Sequence, residues 1–359
     1  FPGKKWFSSF ATSTVEKRRR VFEHYLQELL CLQPRPTELN RFLEISEHVW
    51  GRDGKGTGGG GGGIVPDFAR LVAAGGRGGG EEGGGGGTTA DALARIRAGG
   101  IGIDDFELLR VLGKGSFGKV FLVRLVSTGQ IYAMKVLKKS EVARRRQVEH
   151  TRAERRIMGG IEQPFIVALR FAFQTADKLY MVTDYCRGGE LFFHLKKFRT
   201  FPEEMVRFYA AELVSAMQHL HSLDVVYRDL KPENVLLDGA GHVKITDFGL
   251  SKDEVADPHG ATTFCGTPEY LAPEMLINRK SRAGYGKAVD WWSLGTLLFE
   301  MLTGWPPFYD KNLRRMCEKI LRAELRFPPG CTASAEARDL IRGLLHRDPN
   351  KRLGSPGAK

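Results

Sequence analysis

Three short stretches of the chain hold residues whose types and spacing could do chemistry. The first is Gly113-Lys114-Gly115-Ser116-Phe117-Gly118-Lys119-Val120, followed by Lys135 within Tyr132–Val136. Closely spaced glycines let backbone N–H groups close over phosphate oxygens, and a lysine on the next strand can neutralise them. Alone, the glycine pattern reads equally as a tight hairpin; with the lysine it is far more specific. The second stretch supplies Glu154, a carboxylate that could hold Lys135 in place; by itself it reads first as a surface helix residue, but its position between the lysine strand and Pro164–Val167 favours the pairing. The third runs from Tyr227 to Asn234 and is followed by Thr246-Asp247-Phe248-Gly249, with Asp229 and Asp247 18 residues apart. Moving a phosphoryl group requires metal ions on phosphates, an oriented hydroxyl and a nearby cation. Asp229 can accept or orient the hydroxyl proton, and Lys231 can meet the transferring group. Asn234 and Asp247 are hard oxygen ligands suited to Mg²⁺.

Strands and helices must bring these residues together. Phe106–Leu112, Val120–Leu125 and Ile131–Val136 read as three strands separated by turn glycines. After Pro202 the pattern turns helical, as in Glu203–His221 and Ala288–Leu302. A β-rich region followed by an α-rich one predicts an α+β fold of two lobes with a cleft between them. The 359 residues, 42% hydrophobic, suffice for two or three domains. Opening on Phe1, the chain reads as a fragment or processed form. It shows neither an apolar run of the ~18–20 residues a bilayer requires nor a secretory leader. Its five cysteines (Cys31, Cys186, Cys265, Cys317, Cys331) are scattered as free thiols would be in a reducing compartment. A formal charge of +12 fits acidic partners, including anionic membranes, and equally a merely basic soluble chain.

Two segments precede the two-lobed region. In Val15–Leu32, Val15, Phe22, Tyr25, Leu26, Leu29 and Leu30 share one helical face, and a second helix starts at Thr37 after Pro34 and Pro36. Residues 51–100 hold 21 of the 44 glycines and read as a flexible linker, with a transient helix over Ile64–Ala73. Homopolymeric glycine fixes no phosphate-binding geometry.

From about Asp104 to the chain end the motifs resemble those of the eukaryotic protein kinases. The spelling at Tyr227-Arg228-Asp229, Thr263–Glu274 and Asp290–Gly295 is similar to the AGC group. The resemblance implies ATP and Mg²⁺ as cofactors, a small five-stranded lobe with one key helix (about 104–183) and a larger helical lobe (about 184–359). Leu112, Gly113, Gly115, Gly118 and Val120 would shape the nucleotide pocket with Lys135 and Glu154. Backbone groups of Asp184 and Cys186 would hold adenine, and Glu190 the ribose. Thr183 matches the gatekeeper, where many relatives carry a larger apolar residue. Met158, Leu169, Tyr227 and Phe248 match a stacked spine, and Glu274 with Arg352 a structural ion pair. An upstream kinase would phosphorylate Thr263, with Arg228, Lys252 and His150 receiving the phosphate and Ser251–Thr262 disordered beforehand. Gly266-Thr267-Pro268-Glu269 would anchor a protein substrate. Glu190, Glu233 and Glu300 would select Ser/Thr with arginines about two to five residues upstream. The group's C-terminal tail lies outside this sequence.

The first fifty residues resemble the second half of a phox-homology (PX) domain, an α+β module, through Phe1–Phe7 and Glu16–Leu30. That likeness implies a pocket for phosphatidylinositol 3-phosphate contacted by Lys4 and Arg18, with the family's other key arginine upstream of Phe1. The same residues also read as a helical hairpin with a solvated basic face. Taken together the reading assigns a cytoplasmic enzyme associated with endosomal membranes, partnered by basic protein substrates and not by nucleic acid. Two rivals are a pseudokinase scaffold and a small-molecule phosphotransferase. Intact Lys135, Glu154, Asp229, Asn234 and Asp247 weigh against the first, and the Gly266–Glu269 segment against the second.

Overall fold

Alternation of side chains along a strand sorts the small lobe into two faces. The computed structural model describes residues 100–114, 118–145, 147–252, 266–281 and 285–355. Gly115, Thr263, Lys4, Arg18, the whole PX-like segment and the glycine-rich segment up to residue 99 lie outside them. Strands β1 (Phe106–Lys114), β2 (Gly118–Leu125), β3 (Ile131–Lys138), β4 (Leu169–Gln174) and β5 (Lys178–Asp184) form an antiparallel sheet in the order β1-β2-β3-β5-β4. Tyr132 and Met134 join Phe106, Val123, Tyr180 and Val182 in a buried core on one side. Phe173 stacks on Tyr180 there with ring centroids 4.8 Å apart. The alternate residue, Lys135, is thereby directed to the other face. Two helices accompany the sheet, α1 (Lys139–Arg144) and α2 (Val148–Gly159). Only α2 was expected; the one-and-a-half turns of α1 are too short for a periodic signal, and it rests on β3 through Val142.

The larger lobe is built on two long helices. The lobe contains β6 (Gly189–Glu190), α3 (Leu191–Phe198), α4 (Glu203–Ser222), β7 (Val235–Leu237), β8 (Val243–Ile245), α5 (Pro273–Ser281), α6 (Ala288–Thr303), α7 (Leu313–Arg322) and α8 (Ala335–Leu344). Strands β6, β7 and β8 form a small sheet beneath the cleft. Helix α4 buries Val206, Tyr209, Leu213, Met217 and Leu220, whereas α6 is buried nearly all round. A helix apolar on every side belongs inside a lobe. Gly295 lets α8 cross α6 closely, since a Cβ there would stand 2.8 Å from Leu344 Cβ. Arg352, with no exposed side-chain surface, locks the far side by a two-pronged pair to Glu274 at 2.6 and 2.8 Å. No helix among the described residues is long and apolar enough to cross a membrane.

Candidate active site

Lys135 leaves β3 toward the cleft and meets Glu154 of α2, Nζ to Oε1 at 2.6 Å, with Asp247 Oδ1 at 3.7 Å. Glu154 is only 5% exposed, which excludes the solvated-helix reading. Burial works against the Lys135 ammonium, but the Glu154 and Asp247 carboxylates outweigh it and hold its pKa above the ordinary lysine value. The ends of β1 and β2 carry two glycines in different surroundings. A Cβ on Gly118 would stand 1.8 Å from the Val136 carbonyl oxygen, so a larger residue would push β2 off β3. At Gly113, on β1, a Cβ would meet no atom of the described residues within 4 Å.

The Tyr227–Asn234 loop gathers a second group. Asn234 donates to both the Asp229 carbonyl (2.9 Å) and its Oδ2 (2.8 Å). Lys231 Nζ lies 2.9 Å from Asp229 Oδ2 and donates to Thr267 Oγ1 at 2.9 Å, while Thr267 donates to Asp229 Oδ1 at 3.3 Å. Thr246 N donates to the Asn234 carbonyl at 3.0 Å, which joins this loop to the segment bearing Asp247. The Asn234 amide nitrogen is thus engaged and its side-chain oxygen remains for a cation. The Asp247 side chain is 54% exposed. One amide oxygen and one open carboxylate suit Mg²⁺, which keeps few protein ligands and completes its octahedron with phosphates and water.

Two residues here adopt left-handed backbone conformations, Arg228 (φ 69°) and Asp247 (φ 60°). Such geometry costs ~1–3 kcal/mol per residue and persists only where the surroundings impose it. At Arg228, Asp290, fully buried in the first turn of α6, supplies that constraint. Its Oδ1 accepts from Arg228 N at 2.7 Å, and its Oδ2 from Tyr227 N at 2.9 Å and bonds His221 Nε2 at 2.8 Å. Sequence reasoning used Asp290 only as a family marker. The available signal was slight: Asp290 heads a largely apolar helix that carries one other acid, Glu300, and a buried carboxylate must be satisfied. The Tyr227 hydroxyl donates to the Thr246 carbonyl, and its ring meets Phe248 edge-on at 5.3 Å. Met158, Tyr227 and Phe248 are buried in one continuous core with Leu169 packed against it.

The remaining predicted residues line the cleft or its margin. Arg170 engages both Asp184 carboxylate oxygens, at 2.7 and 2.9 Å, leaving only the Asp184 backbone for a ligand. Burial pushes the Cys186 thiol up to about 12, so this cysteine is an unreactive apolar wall. Thr183 donates to the Ala133 carbonyl at 3.4 Å. Val120 pairs with Lys135, and Leu112 on β1 is 37% exposed. Burial and then Glu233 raise the Glu190 pKa. Burial pushes Glu300 up to about 7, with Glu233 and Glu269 adding to the rise against a hydrogen bond donated by Tyr270. Glu233 is therefore near enough to act on both Glu190 and Glu300, and Glu269 acts on Glu300. Arg228, 6% exposed, donates to the Leu250 carbonyl (2.6 Å) and the Tyr285 hydroxyl (3.3 Å). His150 bonds Gln147 at 2.6 Å. The expected disorder does not begin at Ser251: that residue is buried and donates to the Tyr227 carbonyl, and Lys252 bridges Val226.

A family model described as "Protein kinase domain" matches residues 106–359. Protein kinase 2 of Dictyostelium discoideum is 59% identical over 254 residues, covering 71% of this chain and 52% of its own length. Serine/threonine-protein kinase YPK1 of Saccharomyces cerevisiae is 54% identical over 258 residues, with shares of 72% and 37%. The human RAC-beta serine/threonine-protein kinase is 52% identical over 263 residues, with shares of 73% and 53%. The chain spans about half the length, or less, of these curated relatives.

Proposed function

Because the chain belongs to the protein kinase family, with a serine/threonine kinase domain of the AGC type, we propose that it transfers the γ-phosphoryl group of ATP to serine and threonine hydroxyls of proteins carrying arginines upstream. The family uses ATP and Mg²⁺. The observation that carries the reading is the hub in which Asn234, Lys231 and Thr267 all bind the Asp229 carboxylate. These donors fix the carboxylate in place for an incoming hydroxyl. The hydroxyl oxygen bonds to the γ-phosphorus, the bond from that phosphorus to the bridging oxygen of ADP breaks, and the hydroxyl proton passes to Asp229. Lys231 turns its remaining N–H groups to the transferring oxygens, and Lys135, fixed by Glu154, holds the preceding phosphates. Mg²⁺ at Asn234 and Asp247 would offset phosphate charge. Leu112, Gly113, Gly115, Gly118 and Val120 close over the nucleotide, the Asp184 and Cys186 backbones take adenine, and Glu190 takes the ribose.

Substrate choice follows from the carboxylates Glu190, Glu233 and Glu300, which favour the bidentate guanidinium over lysine's point charge. Phosphorylation of Thr263 by an upstream kinase is the proposed switch. Arg228 supports it, being a buried cation with no carboxylate partner among the described residues, and Lys252 and His150 would add charge. Lipid recruitment through Lys4 and Arg18, and with it an endosomal place in the cytoplasm, rests on the PX-like residues 1–50 alone. Asp229→Asn tests the central reading. Peptide phosphorylation should fall ~10²–10⁴-fold while nucleotide affinity stays unchanged. Near-normal turnover sinks the assignment.

A further inference from the structure

The outer face of α7 carries charge opposite to that of the cleft beside it. Met316 and Ile320 bury one side of the helix, and Asn312 caps its start by accepting from Arg315 N at 3.1 Å. On the other side Arg315, Lys319 and Arg322 recur at helical spacing and, with Glu318 and Ala323, form one open, shallow surface patch. From Asp310 to Arg322 five cations stand against two carboxylates. One of these, Asp310, is held by Lys319 at 2.9 Å, and the other, Glu318, by Arg314 at 3.4 Å. Arg315 acts on Asp310 only at longer range, and Arg315 and Arg322 have no ion-pair partner among the described residues. Helix α7 also packs against Pro268–Tyr270, the turn carrying Glu269 and the Tyr270 that binds Glu300. A negative recess and a positive helix face therefore adjoin.

We propose that the Arg315–Lys319–Arg322 face of α7 docks an Asp/Glu-rich segment of the protein substrate. That segment lies further upstream than the arginines leading to the acceptor, and the inference rests on the arginine reading above. A substrate whose arginines reach Glu300 runs outward toward α7. The stripe from Arg315 to Arg322 spans ~10 Å at 1.5 Å per residue. An extended peptide places same-side residues ~6.8 Å apart, so acids at alternate positions over about four residues match it. A bilayer or a nucleic acid spreads negative charge broadly and would press it on Glu233, Glu269 and Glu300 as well. A peptide with separated blocks of each sign meets no such conflict, and the spacing between blocks becomes a second determinant of substrate choice.

The test uses the full 359-residue chain and peptides sharing one acceptor, with and without upstream arginines and with and without an acidic block beyond them. The block should lower KM about three- to tenfold with kcat unchanged, and salt should erase the gain. Arg315→Glu combined with Arg322→Glu should abolish it while leaving kinetics on the block-free arginine peptide at the wild-type level, which also reports an intact fold. A block without effect, or with the same effect in the double variant, overturns the docking site while arginine dependence stands. Loss of arginine dependence in the wild type instead overturns the substrate reading and, with it, this placement. Sedimentation with phosphatidylserine vesicles by the wild type but not the double variant overturns the peptide assignment in favour of a lipid surface.

Discussion

Two acidic regions border the cleft, and they are completed in different ways. Around Glu154 the carboxylate is answered from within the chain. Burial, its largest influence, disfavours the charge, and Lys135 at 2.6 Å counters it. Around Glu300 no cation answers among the described residues. Tyr270 donates one hydrogen bond, and the nearby ionisable groups that shift its pKa, Glu233 and Glu269, are of like charge. A region neutralised internally is a finished part that positions a ligand's phosphates. One left negative needs a cation to complete it, and in the proposed reaction the substrate's arginine is that cation. A third carboxylate, Asp290, is a control for both: it is fully buried, has no Lys or Arg side-chain partner among the described residues, and is satisfied by hydrogen bonds to Tyr227, Arg228 and His221.

The largest effect is expected where the internal pair is broken. Lys135→Ala removes the phosphate clamp and leaves Glu154 buried against Asp247, so kcat/KM should fall roughly 10²–10³-fold. Glu154→Gln should follow in the same direction with less loss, because the lysine stays but is no longer fixed. Steady-state kinetics on one peptide ranks the two, and equal, small losses would dissolve the contrast with Glu300.

Next comes the hydrogen-bonded carboxylate. Asp290→Ala strands the Tyr227 and Arg228 N–H groups in a buried site, each costing ~1–3 kcal/mol. Urea unfolding should show a loss of about 3–5 kcal/mol, of the size expected when one member of a buried polar set is removed. Activity should fall as well, since the left-handed Arg228 loses its tether. Asp290→Asn, which keeps one acceptor, should recover part of both.

These two tests also mark what was legible in the sequence. The three strands, the long helices and the pairing of Lys135 with Glu154 could be read because glycine punctuation, periodicity and motif order are local. Asp290 stood out only as an acid on a largely apolar helix; its partner could not be read, because its bond to Arg228 closes a 62-residue separation and an acid in the first turn of a helix is ordinary. The same holds for Tyr270 and Glu269 beside Glu300, and for Arg170 on Asp184: each contact exists only once the lobe has folded. The left-handed conformations at Arg228 and Asp247 had no glycine to announce them. Helix α1 is too short to show a period. The PX-like reading concerns residues outside those described.

A smaller change is expected at the open region. Glu300→Gln should raise KM for arginine-bearing peptides about tenfold, as loss of a charge-assisted pair implies, with kcat little altered. Because the Glu300 pKa is about 7, its ionised fraction grows across neutral pH, and arginine requires the ionised form. Wild-type KM should therefore fall several-fold from pH 6 to pH 8, and the Gln variant should be flat over that window. An unchanged slope would assign the titration to another group.

The smallest effect is on stability and has the opposite sign. Burial raises Glu300 from 4.5 to about 7, so between those values the folded chain holds a proton that the unfolded chain has released. Stability falls with rising pH wherever the native state binds more protons. The contribution is fully present below the unfolded pKa and lost as pH climbs through about 7. From pH 6 to pH 8 this one residue should cost the wild type roughly 1 kcal/mol, taking ~1.4 kcal/mol per pKa unit and allowing for solvent screening. The measurement is the difference in unfolding free energy between wild type and Glu300→Gln at each pH, which cancels all other titrations. That difference should move toward the variant by roughly 1 kcal/mol between pH 6 and pH 8. An arginine peptide added at saturation should abolish the shift, since the guanidinium completes the charge. A pH-independent difference would mean that Glu300 is already satisfied within the chain, and the two acidic regions would then be alike.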